Sequence, residues 1–300
     1  MVEGVMQRET GLKHTFFDVF TSDSTVSIAV IPIQRIMRIP DAHEVWAPHD
    51  PAAFMIDRIE EVVEKGELSF NNTSVLDVGT GSGILGLYAL MRGARRVVFT
   101  DYNEKARHAV RDTLNQNGYN WDVLEKQGVV KFIYSDRFEE VDEKFDIILS
   151  NPPQQPENED AHRDNPLFKT NENGSDGMLV LRALIQDSKK YLNDNGVLVT
   201  SFCSRQGYNE IRKMYDGNWG TQPIIIGRKF YPIKIDYHGP YLQWIIDKQR
   251  EDSVNCAGIE STRIFVQDEN GLRPAFTFDD VYTHSETACY IYDVAMISNL

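Results

Sequence analysis

The chain has 300 residues, 41% hydrophobic and 25% charged, a balance ordinary for a globular protein with one large α/β domain or a smaller one with extensions. Its formal net charge of −14 repels phosphate backbones and argues against nucleic acid as a partner. Three cysteines, Cys203, Cys256 and Cys289, form no CxxC pair, His43 and His49 lack a ligand cluster, and no apolar run approaches the ~20 residues that span a bilayer. The first residues, MVEGVMQRETGLKH, contain no apolar leader, so the expected location is cytoplasmic, away from any membrane.

Residues 1–45 form a first zone, in which TVSIAVIPIQRIMRI is rich in β-branched residues and predicts one or two strands. Residues 46–220 alternate apolar runs with amphipathic stretches. The runs are SVLDV (74–78), RVVFTD (96–101), VVKFIYSD (129–136), FDIILSN (145–151) and GVLVTSF (196–202). Helical patterns lie near 84–92, 103–117 and 177–192. This alternation predicts an α/β fold with a doubly wound, mostly parallel sheet. Residues 154–176 are polar and turn-rich, and a loop that long inside a compact domain is often functional. Residues 221–300 add the strand-like IIIGRKFYPIKI and ACYIYDVAMI, and are expected to form an extension that walls or covers a substrate pocket.

The first chemical signal is VLDVGTGSGILG, residues 75–86. A strand runs into Gly79, Gly81 and Gly83 and a helix follows. Glycines suit a sharp turn where ligand atoms approach the backbone, and the helix start offers unpaired N–H groups. Two ligands fit these letters. Gly81, Gly83 and Gly86 match the G-x-G-x-x-G of dinucleotide sites, with Asp101 about 20 residues on for a ribose, so a nicotinamide oxidoreductase is one reading. The stretch from Asp77 to Gly83, with Thr80 between the first two glycines, also reads D-x-G-x-G-x-G. That pattern resembles the cofactor loop of class I S-adenosylmethionine-dependent methyltransferases.

Acids at the next strand ends favour a ligand across the tips. Asp101, followed by Tyr102, could accept both ribose hydroxyls. Asp136, followed by Arg137 and Phe138, offers a carboxylate with a flat neighbour for an adenine. Either acid alone could instead cap a helix.

The fourth tip, FDIILSNPPQQP (145–156), is the most specific. Methyltransferases acting on amide and amine nitrogens often carry (N/D/S)-P-P-(Y/F/W) there. GSDGMLVLRALI (174–185) resembles the GGxDGLxxxRxLI segment of the N5-glutamine methyltransferases that modify peptide-release factors, and HEVWAPHDPAAFMIDRI (43–59) is similar to the stretch before their cofactor loop. This resemblance covers roughly residues 43–203 and implies a Rossmann-like methyltransferase with a seven-stranded type of sheet. It also implies S-adenosylmethionine as the methyl donor, held by Asp77, Gly79, Thr80, Gly81, Gly83, Asp101, Tyr102, Asp136, Arg137 and Asn151. In the acceptor site it implies Asn151, Pro152, Pro153 and Gln154. The side-chain oxygen of Asn151 and the carbonyl of Pro152 would accept the acceptor's N–H bonds, with the prolines fixing φ.

Two departures shape the expected substrate. Gln154 stands where an aromatic usually follows, removing a stacking surface worth about 1–3 kcal/mol per base. Gln154 and Gln155 could instead hydrogen-bond a polar, amino-acid-like acceptor. Residues 1–42 also look too short and strand-like for the helical N-terminal domain of release-factor enzymes. The acceptor is therefore expected to be a small-molecule or amino-acid-like nitrogen, then a protein glutamine. A Pro-Gln pair at the same tip is similar to methionine S-methyltransferases, which keeps a thioether as a third option. A protein that only binds S-adenosylmethionine is the non-enzymatic alternative. Trp46, His49, Asp50 and Phe54 could close over the cofactor, Arg163 beside His162 could meet a carboxylate, and Tyr231, Tyr237, Tyr241 and Trp244 could wall the pocket. Turn or core positions explain the first four at least as well, a solvated loop charge explains Arg163 better, core packing explains the tyrosines and Trp244 better, and His108 is expected on a helix surface.

Overall fold

The computed structural model describes residues 5–7, 17–21, 25–30, 35–40, 45, 50–156, 173–233, 235–255 and 261–299, with side chains from Val45 onward except at 235–238, 240 and 255. In chain order, strands β1 (Val5–Gln7), β2 (Phe17–Thr21), β3 (Thr25–Val30) and β4 (Arg35–Pro40) form an antiparallel four-stranded sheet in sequential order. Next come α1 (Asp50–Glu64), β5 (Ser74–Val78), α2 (Ile84–Met91), β6 (Arg96–Asp101), α3 (Ala106–Gln116), α4 (Trp121–Lys126), β7 (Val130–Tyr134), β8 (Phe145–Ser150), α5 (Leu179–Tyr191) and β9 (Leu192–Cys203). The chain continues with α6 (Tyr208–Trp219), β10 (Ile224–Pro232), α7 (Ile235–Asn255), β11 (Phe265–Asp268), β12 (Gly271–Pro274), α8 (Phe278–Thr283) and β13 (Cys289–Ser298).

The chain divides into two compact units. One holds Met1–Asn151, Asp187–Thr200 and Ser298–Leu300; the other holds Pro152–Gln186 and Ser201–Ile297. The first unit contains a parallel sheet in the order β9-β8-β5-β6-β7. Its strands run outward from β5 to β7 and then return to β8 on the other side. That reversal between β5 and β8 is a topological switch point, where open α/β sheets bind ligands beyond their carboxyl ends. β5 is buried along its whole length, as expected for a central strand covered on both faces. Each helix follows its own pattern. Ala106, Ala109, Val110, Thr113 and Leu114 give α3 one buried stripe, while α2 is buried almost all round. Gly86 is required by packing, since a Cβ there would lie 2.1 Å from the Phe99 ring.

The second unit is antiparallel where β10 pairs β13 and where β11 pairs β12. Both strand-like runs expected after residue 220 are present, as β10 and β13. The helix α7 that follows β10 was not expected. Its β-branched and aromatic residues mimic a strand, yet Tyr241, Leu242, Ile245, Ile246 and Gln249 are buried at helical spacing. Asp293, fully buried in this unit, is paired. Asp293 takes both arms of Arg228 at 2.7 Å and the Tyr208 hydroxyl at 2.8 Å.

Candidate functional site

The first unit brings four strand tips side by side, those of β5, β6, β7 and β8. β5 runs through Gly79-Thr80-Gly81-Ser82-Gly83 into α2. These three glycines have φ values of 64°, 54° and 82°, a left-handed region that costs a side-chain-bearing residue energy. Gly79 and Gly83 differ in their surroundings. A Cβ on Gly83 would meet Val110 of α3 at 3.0 Å, whereas one on Gly79 would meet nothing within 4 Å. Gly79 thus leaves open room beside the backbone, as a closely approaching ligand needs.

Asp77 and the β6 tip hold this loop. Asp77 Oδ2 accepts the Thr80 hydroxyl at 2.6 Å and the Gly86 amide at 2.9 Å. Gly83, at the N-cap, supplies no side chain, so Asp77 satisfies one of the helix's early amides instead. Burial pushes the Asp77 carboxyl up to about 6, against the pull of those two hydrogen bonds. Thr80 donates its amide to the Thr100 carbonyl at 2.9 Å. The Gly81 amide donates to Asp101 Oδ2, and the Asn103 amide to Asp101 Oδ1, both at 2.9 Å. Burial raises the Asp101 carboxyl above its ordinary range, with the amides of Asn103, Gly81 and Tyr102 opposing. With three amides on its two oxygens, the Asp101 carboxylate keeps one lone pair for a further donor. Tyr102, next to it, leaves 51% of its surface exposed.

At the β7 end, Asp136 is exposed and bound by its neighbour. Arg137 Nε reaches Asp136 Oδ1 at 2.9 Å and Nη2 reaches Oδ2 at 2.6 Å, with Arg137 itself at φ 55°. Phe138 is not the open flat neighbour the sequence suggested. It is buried and stacks on Tyr191, with centroids 4.7 Å apart and planes within 5°. The exposed ring near Asp101 is Tyr102. It shares a groove of about 670 Å³ with residues 131–136 and with Glu139, Glu140 and Asp142.

The β8 tip is tied to the root of the glycine loop. The Ser150 hydroxyl donates to the Val78 carbonyl at 2.9 Å, and half-buried Asn151 follows directly. Because β5 and β8 are neighbours, this bond sets Asn151 at the switch point.

Pro152 begins the second unit, where the rest of the NPPQQ loop is held by residues the sequence did not single out. Gln154 and Gln155 are 8% and 3% exposed, so neither is an open carboxamide. Gln154 Nε2 donates to Ser201 Oγ at 3.3 Å, and Gln155 Oε1 has no donor among the described residues. Buried Asn173 donates through Nδ2 to the Pro153 carbonyl at 2.5 Å, and its backbone amide donates to the Gln155 carbonyl at 2.9 Å. Gln206 Nε2 donates to the Gly177 carbonyl at 2.6 Å. The GSDGMLVLRALI segment now has a physical account. Gly177 sits at φ 72°, and a Cβ there would be 2.8 Å from the Gln154 carbonyl oxygen. Asp176 accepts the Met178 amide at 3.0 Å and pairs with Arg182 at 2.6 Å. A glycine followed by a helix was the visible cue; carboxamides in a polar loop carried none.

Other candidates scatter. Asp50 opens α1, Phe54 is buried on that helix, and His108 is exposed on α3. Tyr231 and Tyr241 are buried, and the Arg263 guanidinium lies 5.7 Å from the ring of half-buried Trp244. Cys203 is buried and Cys289 half-buried. His43, Trp46, His49, His162, Arg163, Cys256 and the side chain of Tyr237 lie outside the described residues. Among the described residues no three His, Cys, Asp or Glu could hold a metal, and no helix is long and apolar enough to cross a membrane.

Residues 59–222 match the methyltransferase small domain family. The release factor glutamine methyltransferase of Streptococcus pneumoniae is 30% identical over 197 residues, covering 56% of this chain and 67% of that protein. The ribosomal protein uL3 glutamine methyltransferase of Francisella tularensis is 32% identical over 141 residues, covering 45% of this chain and 42% of that protein. Among solved structures, the ribosomal protein L11 methylase of Lactobacillus delbrueckii aligns with a TM-score of 0.45 at 21% identity, covering 65% of this chain and 80% of that one. The chain belongs to the methyltransferase small domain family and is an S-adenosylmethionine-dependent methyltransferase.

Proposed function

We propose that the enzyme methylates a nitrogen of an amino-acid-like acceptor, oriented by Asn151 and Pro152. The observation that carries this reading is the Ser150–Val78 bond, which fixes Asn151 at the root of the glycine loop. In this reading Gly79, Gly81 and Gly83 let the cofactor approach the backbone, helped by Asp77 and Thr80, which brace the loop. The lone pair that the three amides leave on Asp101 would accept a ribose hydroxyl, and the exposed Tyr102 ring would offer a flat face to the adenine. Asp136, steadied by Arg137, is left for the adenine amine. S-adenosylmethionine, when bound, supplies a methyl on a sulfonium whose leaving group is a neutral thioether. The chain must hold the acceptor nitrogen in line with that methyl, and as the N–CH3 bond forms and the S–CH3 bond breaks, one N–H proton of the acceptor passes to solvent.

Asn151 Oδ1 and the Pro152 carbonyl suit this task. Both are acceptors, so they can hold the N–H protons of an amide or amine and raise electron density on its nitrogen. The rigid φ of Pro152 and Pro153 keeps the loop in shape, and proline lacks an N–H that would compete. The working division is residues 46–220 as the catalytic domain, 1–45 as an added strand segment and 221–300 as a substrate-side extension.

A second reading is a protein glutamine acceptor. The relatives named for glutamine methylation favour it, and so does the Gly177-Met178 to Arg182 segment now seen to brace the loop. One experiment separates the two. The full chain is incubated with methyl-labelled S-adenosylmethionine and extract, which is then split into protein, RNA and small-molecule fractions. Label in small molecules supports the first reading, label on protein glutamine the second, and label in RNA overturns both. In the labelled fraction, Asn151→Ala should cut turnover by about 100-fold while changing cofactor affinity less than about twofold. Equal losses of both would remove Asn151 from the acceptor role.

A further inference from the structure

We propose that Asn173 is a positioning residue for methyl transfer, acting through the Pro152–Gln155 backbone. This inference rests on the acceptor role assigned above to Asn151 and Pro152. Asn173 is 1% exposed, and each of its polar groups is engaged. Nδ2 donates to the Pro153 carbonyl at 2.5 Å and to the Gly177 carbonyl at 3.0 Å, while Oδ1 accepts the Val180 amide at 2.7 Å. Its backbone amide donates to the Gln155 carbonyl at 2.9 Å, and its carbonyl accepts the Leu179 amide at 3.0 Å. One buried side chain thus joins the loop after Asn151 to the first turn of α5.

The consequence is mechanical. Prolines at 152, 153 and 156 restrict φ but leave ψ free. Hydrogen bonds to the carbonyls of Pro153 and Gln155 remove that remaining freedom, because rotating either peptide breaks a buried bond. Gln206 reinforces the clamp from the other side. Its Nε2 shares the Gly177 carbonyl at 2.6 Å, and its Oε1 accepts the Cys203 amide at 2.9 Å. With Pro153 and Gln155 committed to Asn173, the direction of the Pro152 carbonyl is set for the acceptor.

The test uses the full chain with Asn173→Ala, Asn173→Asp and Asn151→Ala. Asn173→Asp keeps an acceptor for the Val180 amide but loses the donor to Pro153, and it carries the test if the alanine variant does not fold. Cofactor affinity is measured by calorimetry, turnover on the labelled acceptor fraction, and amide hydrogen exchange at Gln154 and Gln155. Both Asn173 variants should lower kcat by about 30- to 100-fold with cofactor affinity within about twofold, and should speed exchange at those two amides. Wild-type kcat in Asn173→Asp, or unchanged exchange in both variants, overturns the clamp. If Asn151→Ala is impaired and the Asn173 variants are not, only the clamp fails. If Asn151→Ala is itself unimpaired, the acceptor reading fails, and the exchange result still decides whether Asn173 orders the loop.

Discussion

The glycine loop and the NPPQQ loop are both rigid, but by different means. The glycine loop is set by backbone conformation, with three left-handed glycines and two buried acids, Asp77 accepting the Thr80 hydroxyl and Asp101 the Gly81 amide. The NPPQQ loop has its φ angles limited by prolines and its carbonyls and side chains held by Asn173, Ser201 and Gly177 from later in the chain. The first device forgives little at its own positions. The second spreads its dependence over residues whose types are common in any polar loop. The contrast fits the proposed roles: a loop that lets a ligand approach the backbone needs residues without side chains, whereas one that orients an acceptor needs its oxygens aimed.

Substitutions can break this contrast. The largest effect is expected at Gly86→Ala, where the new Cβ meets the Phe99 ring. Overpacking there should cost about 3 kcal/mol of unfolding free energy by urea denaturation, and a neutral result would mean that α2 shifts readily. Next is the charge state of Asp77. Its carboxyl is raised in the folded protein, so the folded state holds the proton more tightly than the unfolded one between about pH 4 and 6. Stability from this group is therefore present below that window and lost as pH rises through it. The stability difference between wild type and Asp77→Asn should move by about 2–3 kcal/mol in the variant's favour from pH 4 to pH 7. A flat difference would show that the buried loop tolerates the charge.

Asp101→Asn should weaken cofactor binding by about tenfold in calorimetry, since it loses charge-assisted acceptors while keeping its size. Loss of turnover alone would move Asp101 out of the binding half. Gly79→Ala should cost only about 1 kcal/mol, because it pays for a left-handed φ without a clash. The smallest effect is expected at Gln155→Met. Its buried Oε1 lacks a donor among the described residues, so an apolar side chain of similar shape should change stability by less than about 1 kcal/mol, in either direction. A large loss would reveal a donor that reaches Gln155 in solution.

Much of the first region was legible in the sequence. A strand of β-branched and aliphatic residues, glycines at every second position and an acid ending the next strand each answer a local requirement, and β5, α2, β6 and Asp101 follow from them. The ends of the elements and the aromatic side chains were less legible. Phe138 and Tyr102 stand in similar contexts after a strand-end acid, yet one stacks under Tyr191 and the other faces solvent. Which ring is covered depends on a helix fifty residues further on.

By itself, the sequence determined the fold class, the glycine turn and the place of Asn151 at a strand end, because these depend on near-neighbour sterics and on the period of apolar residues. Only the tertiary structure decided that Asp77 stands in for a missing helix cap, that Gln154 and Gln155 are buried, and that Asn173 bonds to the Pro153 and Gln155 carbonyls. Those are pairings between polar groups far apart in the chain. A hydrogen bond depends on distance and direction, and neither exists until the segments have packed.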